Sequence, residues 1–280
     1  MMTNDIPENF LREVMSGVGP YSVAIARARD NDAQTFRPLG TGIFVKKGGR
    51  FGILTAHHCL HAFSPEVQLG ASDGDQILLI LHRGRQVVVN PIEAIEIPLA
   101  LPHGRVYGEF GPDLTFIQIL SDYRRTSIAA VGSFWNLDRE PKDVIERWGK
   151  IKTPIASVGF PGVDYRTKIE KNDVHHLVKK MLYANAIGEG DVYSKDGWDY
   201  IDLTCTYTDT NNLPDDFGGV SGGPVWAYEM RKENGSGELV FGDFGLVGMK
   251  FFQTPKKDNR CKLRAHYAES IYDTAWRDCR

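Results

Sequence analysis

Gly218-Gly219-Val220-Ser221-Gly222-Gly223-Pro224 places one hydroxyl inside a run of small residues. Glycine tolerates positive φ and lets a backbone approach its neighbours closely. A serine there exposes its Oγ while nearby backbone N–H groups converge on one small volume. That is the chemistry of a nucleophile beside a site for a developing oxyanion. Taken alone, the run also fits a tight turn between two strands.

Two further segments supply what a hydroxyl nucleophile lacks. Phe51-Gly52-Ile53-Leu54-Thr55-Ala56-His57-His58-Cys59 ends an apolar strand and then delivers histidine. Gly111-Pro112-Asp113-Leu114-Thr115-Phe116-Ile117-Gln118-Ile119 opens a mostly apolar strand with an aspartate. A serine needs an adjacent base to attack a carbonyl, and the base needs a carboxylate to fix its tautomer and stabilise imidazolium. Separately, Asp113 reads as a strand cap and His58 as a surface histidine. A metal reading rests on His57, His58, Cys59 and His61, with His57 and His61 four residues apart. Neither a His-Glu-x-x-His nor a Cys-x-x-Cys pattern accompanies them, so no metal and no cofactor is expected.

These motifs resemble those of the trypsin/chymotrypsin-like serine peptidases. Thr55 to Cys59 is similar to the family's Thr-Ala-x-His-Cys and selects His58 over His57 as base. Asp113-Leu114 is similar to its Asp-Leu/Ile pair, and Gly219 to Pro224 to its Gly-x-Ser-Gly-Gly-Pro. The order His58, Asp113, Ser221 is the family's order. Gly40-Thr41-Gly42-Ile43-Phe44-Val45 and Val158-Gly159-Phe160-Pro161-Gly162 resemble further strands of it, so the likeness runs from about Tyr21 to Phe252. It implies a triad of His58, Asp113 and Ser221, with the N–H groups of Gly219 and Ser221 as the oxyanion hole.

The resemblance also implies a specificity pocket. Its floor lies six residues before the nucleophile, at Asp215, where a carboxylate favours Arg or Lys in the substrate. Asp216 is adjacent. Gly248, Met249 and Lys250 fall on the strand expected to line the rim, and an Asp215–Lys250 ion pair would neutralise the pocket. Two solvated loop acids are the plain alternative. Activation by a newly cleaved N-terminus is closed to this chain, because Val220 stands where the receiving aspartate would be and no Ile-Val-Gly-Gly start is present. The character is closer to bacterial and HtrA-like members, without a PDZ-like extension.

Whole-chain properties set the frame. The 280 residues carry 33 basic and 36 acidic side chains, a net charge of −3. Hydrophobic content of 42% and charged content of 25% are those of a globular protein. Nucleic acid is not an expected partner, and no apolar run reaches the length of a membrane span. The acidic start Met1-Met2-Thr3-Asn4-Asp5-Ile6-Pro7-Glu8 lacks the basic and apolar regions of a secretory peptide. Four sparse cysteines, Cys59, Cys205, Cys261 and Cys279, suit a reducing compartment. In secreted members of the family the cysteine after the histidine is bridged to one on the preceding strand. No cysteine precedes Cys59, which is read as an apolar filler. A cytoplasmic location follows as the expectation. Asn234-Gly235-Ser236 fits a glycosylation pattern but reads as a hairpin turn.

Short β-rich runs punctuated by Gly, Pro, Asn and Asp predict an all-β fold. With the resemblance, this becomes two six-stranded antiparallel β-barrels of the chymotrypsin type with a C-terminal helix. Expected strands are Tyr21–Ala28, Thr41–Lys46, Phe51–Thr55, Gln76–Leu81, Arg85–Ile92 and Leu114–Ile119 in the first barrel. The second takes Ile155–Phe160, Met181–Ile187, Tyr200–Tyr207, Pro224–Tyr228, Leu239–Phe241 and Leu246–Phe252. The divisions are an extension over 1–20, a first barrel over 21–132, a crossing over 133–150, a second barrel over 151–263 and a helix over 264–280. An N-terminal helix is expected around Glu8–Met15 and another, in an insertion, around Asp173–Lys180.

The resulting expectation is a trypsin-like serine endopeptidase that acts on proteins or peptides through an acyl-enzyme, under the control of a regulatory protein partner. The alternative is a peptidase-fold interaction module with little turnover. A small-molecule esterase would use the same triad.

Overall fold

A strand such as Leu114-Thr115-Phe116-Ile117-Gln118-Ile119 has too much apolar surface to stand alone. It pairs and packs where it buries both faces. In the computed structural model, residues 6–29, 32–61, 75–81, 85–101, 107–148, 154–160, 165–170, 173–178, 181–185, 190–208, 213 and 217–279 are described. Two antiparallel sheets dominate them.

The first sheet holds β1 (Ser22–Arg29), β2 (Asp32–Lys47), β3 (Arg50–Thr55), β4 (Asp75–Ile80), β5 (Gln86–Val89), β6 (Ala94–Ala100), β7 (Leu114–Ile119) and β8 (Trp135–Asn136). Its order is β5-β4-β1-β2-β3-β7-β6, with β8 lying parallel to β2. Gly52 permits the close approach of β3 to β7, because a methyl group at its Cα would stand 2.2 Å from Ile117 O. The sheet curls as a half-barrel. Pro91 opens a 3-10 turn, Pro91–Glu93, between β5 and β6, and among the described residues these two end strands do not pair.

The chain continues with β9 (Ile155–Gly159), β10 (Tyr165–Glu170), β11 (Asp173–Val178), β12 (Met181–Asn185), β13 (Gly190–Lys195), β14 (Trp198–Thr206), β15 (Pro224–Lys232), β16 (Leu239–Gln253) and β17 (Arg260–His266). The second sheet runs β12-β9-β15-β16-β17-β14-β13, and β10 with β11 forms a separate ribbon. The fold is thus mostly β, and among the described residues its two main sheets hold eight and seven strands where six in each half were expected. The expected helix around Asp173–Lys180 is instead a strand as far as Val178, because it pairs with β10 from Tyr165↔Val178 to Glu170↔Asp173.

Helices frame the sheets. α1 (Glu8–Val18) follows Pro7 and buries Phe10, Val14 and Val18. α2 is His57–His61, α3 is Asp122–Ala129 and α4 is Pro141–Trp148. The C-terminal helix is shorter than expected. Ala265 and His266 belong to β17, α5 covers Ala268–Tyr272, and Thr274–Cys279 is 3-10. One core joins both sheets through Leu54, Phe116, Val158, Trp226 and Leu246. Trp135 sits in it, donating from Nε1 to Tyr272 OH at 2.7 Å, which donates to Leu246 O at 2.9 Å. Among the described residues no helix is long and apolar enough to cross a membrane.

Candidate active site

The β3–β7 register sets Thr55 opposite Thr115. It therefore carries the segment after β3 and the residue before β7 to the same sheet edge. There Asp113 is 3% exposed. Its Oδ1 accepts the His58 backbone N–H at 3.0 Å, and its Oδ2 accepts Nδ1–H of the same residue at 2.5 Å. Both oxygens thus hold one histidine and fix its tautomer, leaving Nε2 for chemistry. Burial opposes charge on the ring. The Cys59 sulfur and Asp113 outweigh it, and the His58 pKa is raised.

His57 points elsewhere. It is 2% exposed, its Nδ1 is hydrogen-bonded to Tyr107 OH, and its Nε2 lies 3.7 Å from Glu96 Oε1. Among the described residues no group of three or more His, Cys, Asp or Glu side chains is arranged to hold a metal ion.

The segment 217–223 is a loop closed by its own backbone. Val220 N–H donates to Phe217 O at 2.9 Å and Gly223 N–H to Val220 O at 3.0 Å. Gly219 and Gly222 take left-handed φ of 86° and 81°. At Gly222 a side chain is also excluded by space, since a Cβ would fall 1.9 Å from Thr41 O. Thr41 of β2 secures the loop: its N–H donates to Ser221 O at 2.9 Å and its Oγ1 donates to Gly219 O at 2.7 Å. In a trans peptide the N–H points away from the carbonyl. Val220 O turned inward therefore turns the Ser221 N–H outward. Among the described residues neither the Gly219 nor the Ser221 N–H has a hydrogen-bond partner.

His58 and Ser221 line one cleft of about 520 Å³. Among the described residues no hydrogen bond joins their side chains. His58 Nε2 lies 3.8 Å from Cys59 Sγ, and that thiol donates to Ser221 O at 3.5 Å. Cys59 is therefore a contact between His58 and the loop that carries Ser221, beyond a filler. All four cysteines are free.

The cleft wall is formed by Phe217, Phe251, Phe252, Gln253, Pro255 and Lys256. Gln253 Oε1 accepts the Phe217 N–H at 2.9 Å, tying wall to loop. Gly248, Met249 and Lys250, expected at the rim, lie before this wall and are buried. A bulge between Lys250 and Phe252 in the β16–β17 pairing turns the strand at Phe251. Asp215 and Asp216 lie outside the described residues.

Two supporting residues escape sequence reasoning. Thr41 sits in a motif read only as a strand. His266 of β17 accepts the Asp113 N–H on Nε2 at 3.2 Å, fully buried, and burial lowers its pKa to about 3 despite Asp113 nearby. Neither has a local sequence signal, because the partner is supplied by a remote strand. No protein-family model matches the chain, and no curated protein matches it.

Proposed function

We propose that this chain is a serine endopeptidase of the kind its motifs resemble. The observation that carries the reading is the two-point hold of Asp113 on His58, in the same cleft as a glycine-framed serine. In this mechanism Ser221 Oγ attacks the scissile carbonyl as His58 Nε2 takes its proton. The tetrahedral oxyanion is received by the N–H groups of Gly219 and Ser221, about 3–4 kcal/mol of barrier per donor. Its collapse breaks the C–N bond, and His58 returns the proton to the leaving amine. Water then hydrolyses the acyl-enzyme by the same route. The four free cysteines support a reducing, cytoplasmic setting.

A second reading, an interaction module with little turnover, is favoured by one feature. At rest His58 Nε2 faces Cys59 Sγ and makes no hydrogen bond to Ser221. A fluorophosphonate probe separates the two readings. Labelling of Ser221 in wild type, lost in Ser221→Ala with the fold intact, supports the hydrolase. Labelling elsewhere, or peptidase activity that survives in Ser221→Ala, removes it.

A further inference from the structure

Lys250 is a cation by type yet 2% exposed, inside the second sheet and behind the nucleophile loop. Its burial follows from where β15 begins. The β9–β15 ladder pairs Ile155↔Ala227, Ala156↔Trp226 and Ser157↔Val225, and there it stops. The next residue back, Pro224, has no N–H. Gly223 spends its N–H inside the loop, on Val220 O. The Val158 carbonyl is thus left without a main-chain donor from β15, and an unmet buried carbonyl costs about 1–3 kcal/mol.

The Lys250 side chain supplies that donor. Nζ donates to Val158 O at 2.7 Å and to Ser157 Oγ at 2.5 Å. The same residue grips the loop with its main chain: its N–H donates to Gly223 O at 2.9 Å, and its carbonyl accepts the Gly222 N–H at 2.7 Å. Gly223 lies directly against this contact, since a methyl group at its Cα would stand 2.4 Å from Val158 O and 3.0 Å from Nζ. Burial lowers the amine pKa to about 7, only partly opposed by Cys205. Ser157 is fully buried, so Lys250 and Ser157 do not form a second reactive pair.

We propose that Lys250 is a positioning residue for Ser221. Its amine replaces the ladder donors lost where the chain leaves the sheet, and so fixes Gly222-Gly223 and, through them, the N–H groups of Gly219 and Ser221. The proposal rests on the serine-hydrolase reading above.

The test is fluorophosphonate labelling of the full chain, with the maximal rate, the probe affinity and the final labelled fraction measured separately. Lys250→Met keeps the stem and removes the amine. Ser157→Ala removes one acceptor and is the milder change if Lys250→Met does not fold. A loop displaced by a fraction of an ångström lowers the maximal rate about 10- to 100-fold in Lys250→Met and about 3- to 10-fold in Ser157→Ala. Probe affinity stays within about twofold and the labelled fraction is unchanged. A maximal rate equal to wild type in the folded variants overturns the proposal. So does a smaller labelled fraction that reacts at the wild-type rate, the mark of a merely structural residue. If wild type itself does not label at Ser221, the hydrolase reading falls and this proposal with it.

Discussion

Gly40 and Cys59 touch so closely that a methyl group at the Gly40 Cα would stand 2.6 Å from Cys59 Sγ. The same methyl would lie 3.1 Å from Ser221 O. Three elements therefore meet at a residue with no side chain: β2, the α2 turn that carries His58, and the loop that carries Ser221. Gly40 of β2 faces Cys59, whose thiol donates to Ser221 O at 3.5 Å.

Gly40→Ala should therefore overpack the junction and destabilise the fold by about 1–3 kcal/mol. Cys59→Ala in the same chain opens the space, so the double variant should recover most of that loss. Denaturant unfolding of both single variants and the double variant measures the coupling. Additive costs would show that the two residues do not share this space.

The local parts of this architecture are readable in the sequence, and the non-local parts are not. Leu114–Ile119 is legible because four of its six residues are large and apolar and turn residues precede it. His58, Asp113 and Ser221 are legible as candidates because each stands near a strand end inside a short motif. β17 is missed because Lys262 and Arg264 make Arg260–His266 look solvated. Arg264 is buried by an ion pair with Asp202, Nε to Oδ1 at 2.7 Å and Nη2 to Oδ2 at 2.9 Å, 62 residues away. Val174, Leu177 and Val178 have helical spacing, and only pairing with β10 decides for a strand. Lys250 reads as a rim cation because nothing near it shows that Pro224 leaves a carbonyl of β9 unmet. His266 reaches Asp113 across 153 residues, a distance no local pattern spans.

The adjacent histidines should separate cleanly. His57→Ala removes a buried ring bonded to Tyr107, so stability should fall by about 1–3 kcal/mol. The Asp113–His58 pair is untouched, and activity per folded molecule should be largely retained. His58→Ala should lose nearly all turnover while keeping the fold. Kinetics normalised to folded protein check this, and the opposite ranking would make His57 the base.

His266 should make the fold acid-sensitive in a defined window. Its pKa is lowered to about 3 by burial, whereas in the unfolded chain it is near 6.5. Between those values the unfolded state binds a proton that the folded state refuses. Its contribution is fully present above about pH 6.5 and is lost as pH falls, by up to about 1.4 kcal/mol per unit. His266→Gln keeps an acceptor for the Asp113 N–H and removes the titration. The stability difference between wild type and variant should vary with pH from 6.5 to 4. A constant difference would mean that His266 is not held neutral.

The pH dependence of turnover should report the hold of Asp113 on His58. Burial alone would make the imidazole a weaker base. The Cys59 sulfur and the two-oxygen contact with Asp113 outweigh it, so the pKa is raised above its ordinary value. Only neutral His58 accepts the Ser221 proton. The acid limb of kcat/KM, which reports the base in the free enzyme, should therefore lie above pH 6.5. Asp113→Asn keeps the shape and removes the charge. It should move that limb to lower pH and cut the plateau by about 10⁴-fold, because the ring loses both its tautomer control and its counter-charge. Cys59→Ala should move the limb the same way and leave the plateau within about tenfold, since the thiol accepts no proton in the reaction. Fluorophosphonate labelling rates across pH give the same profile without a substrate. An acid limb that stays in place in both variants would show that another group, not His58, activates Ser221.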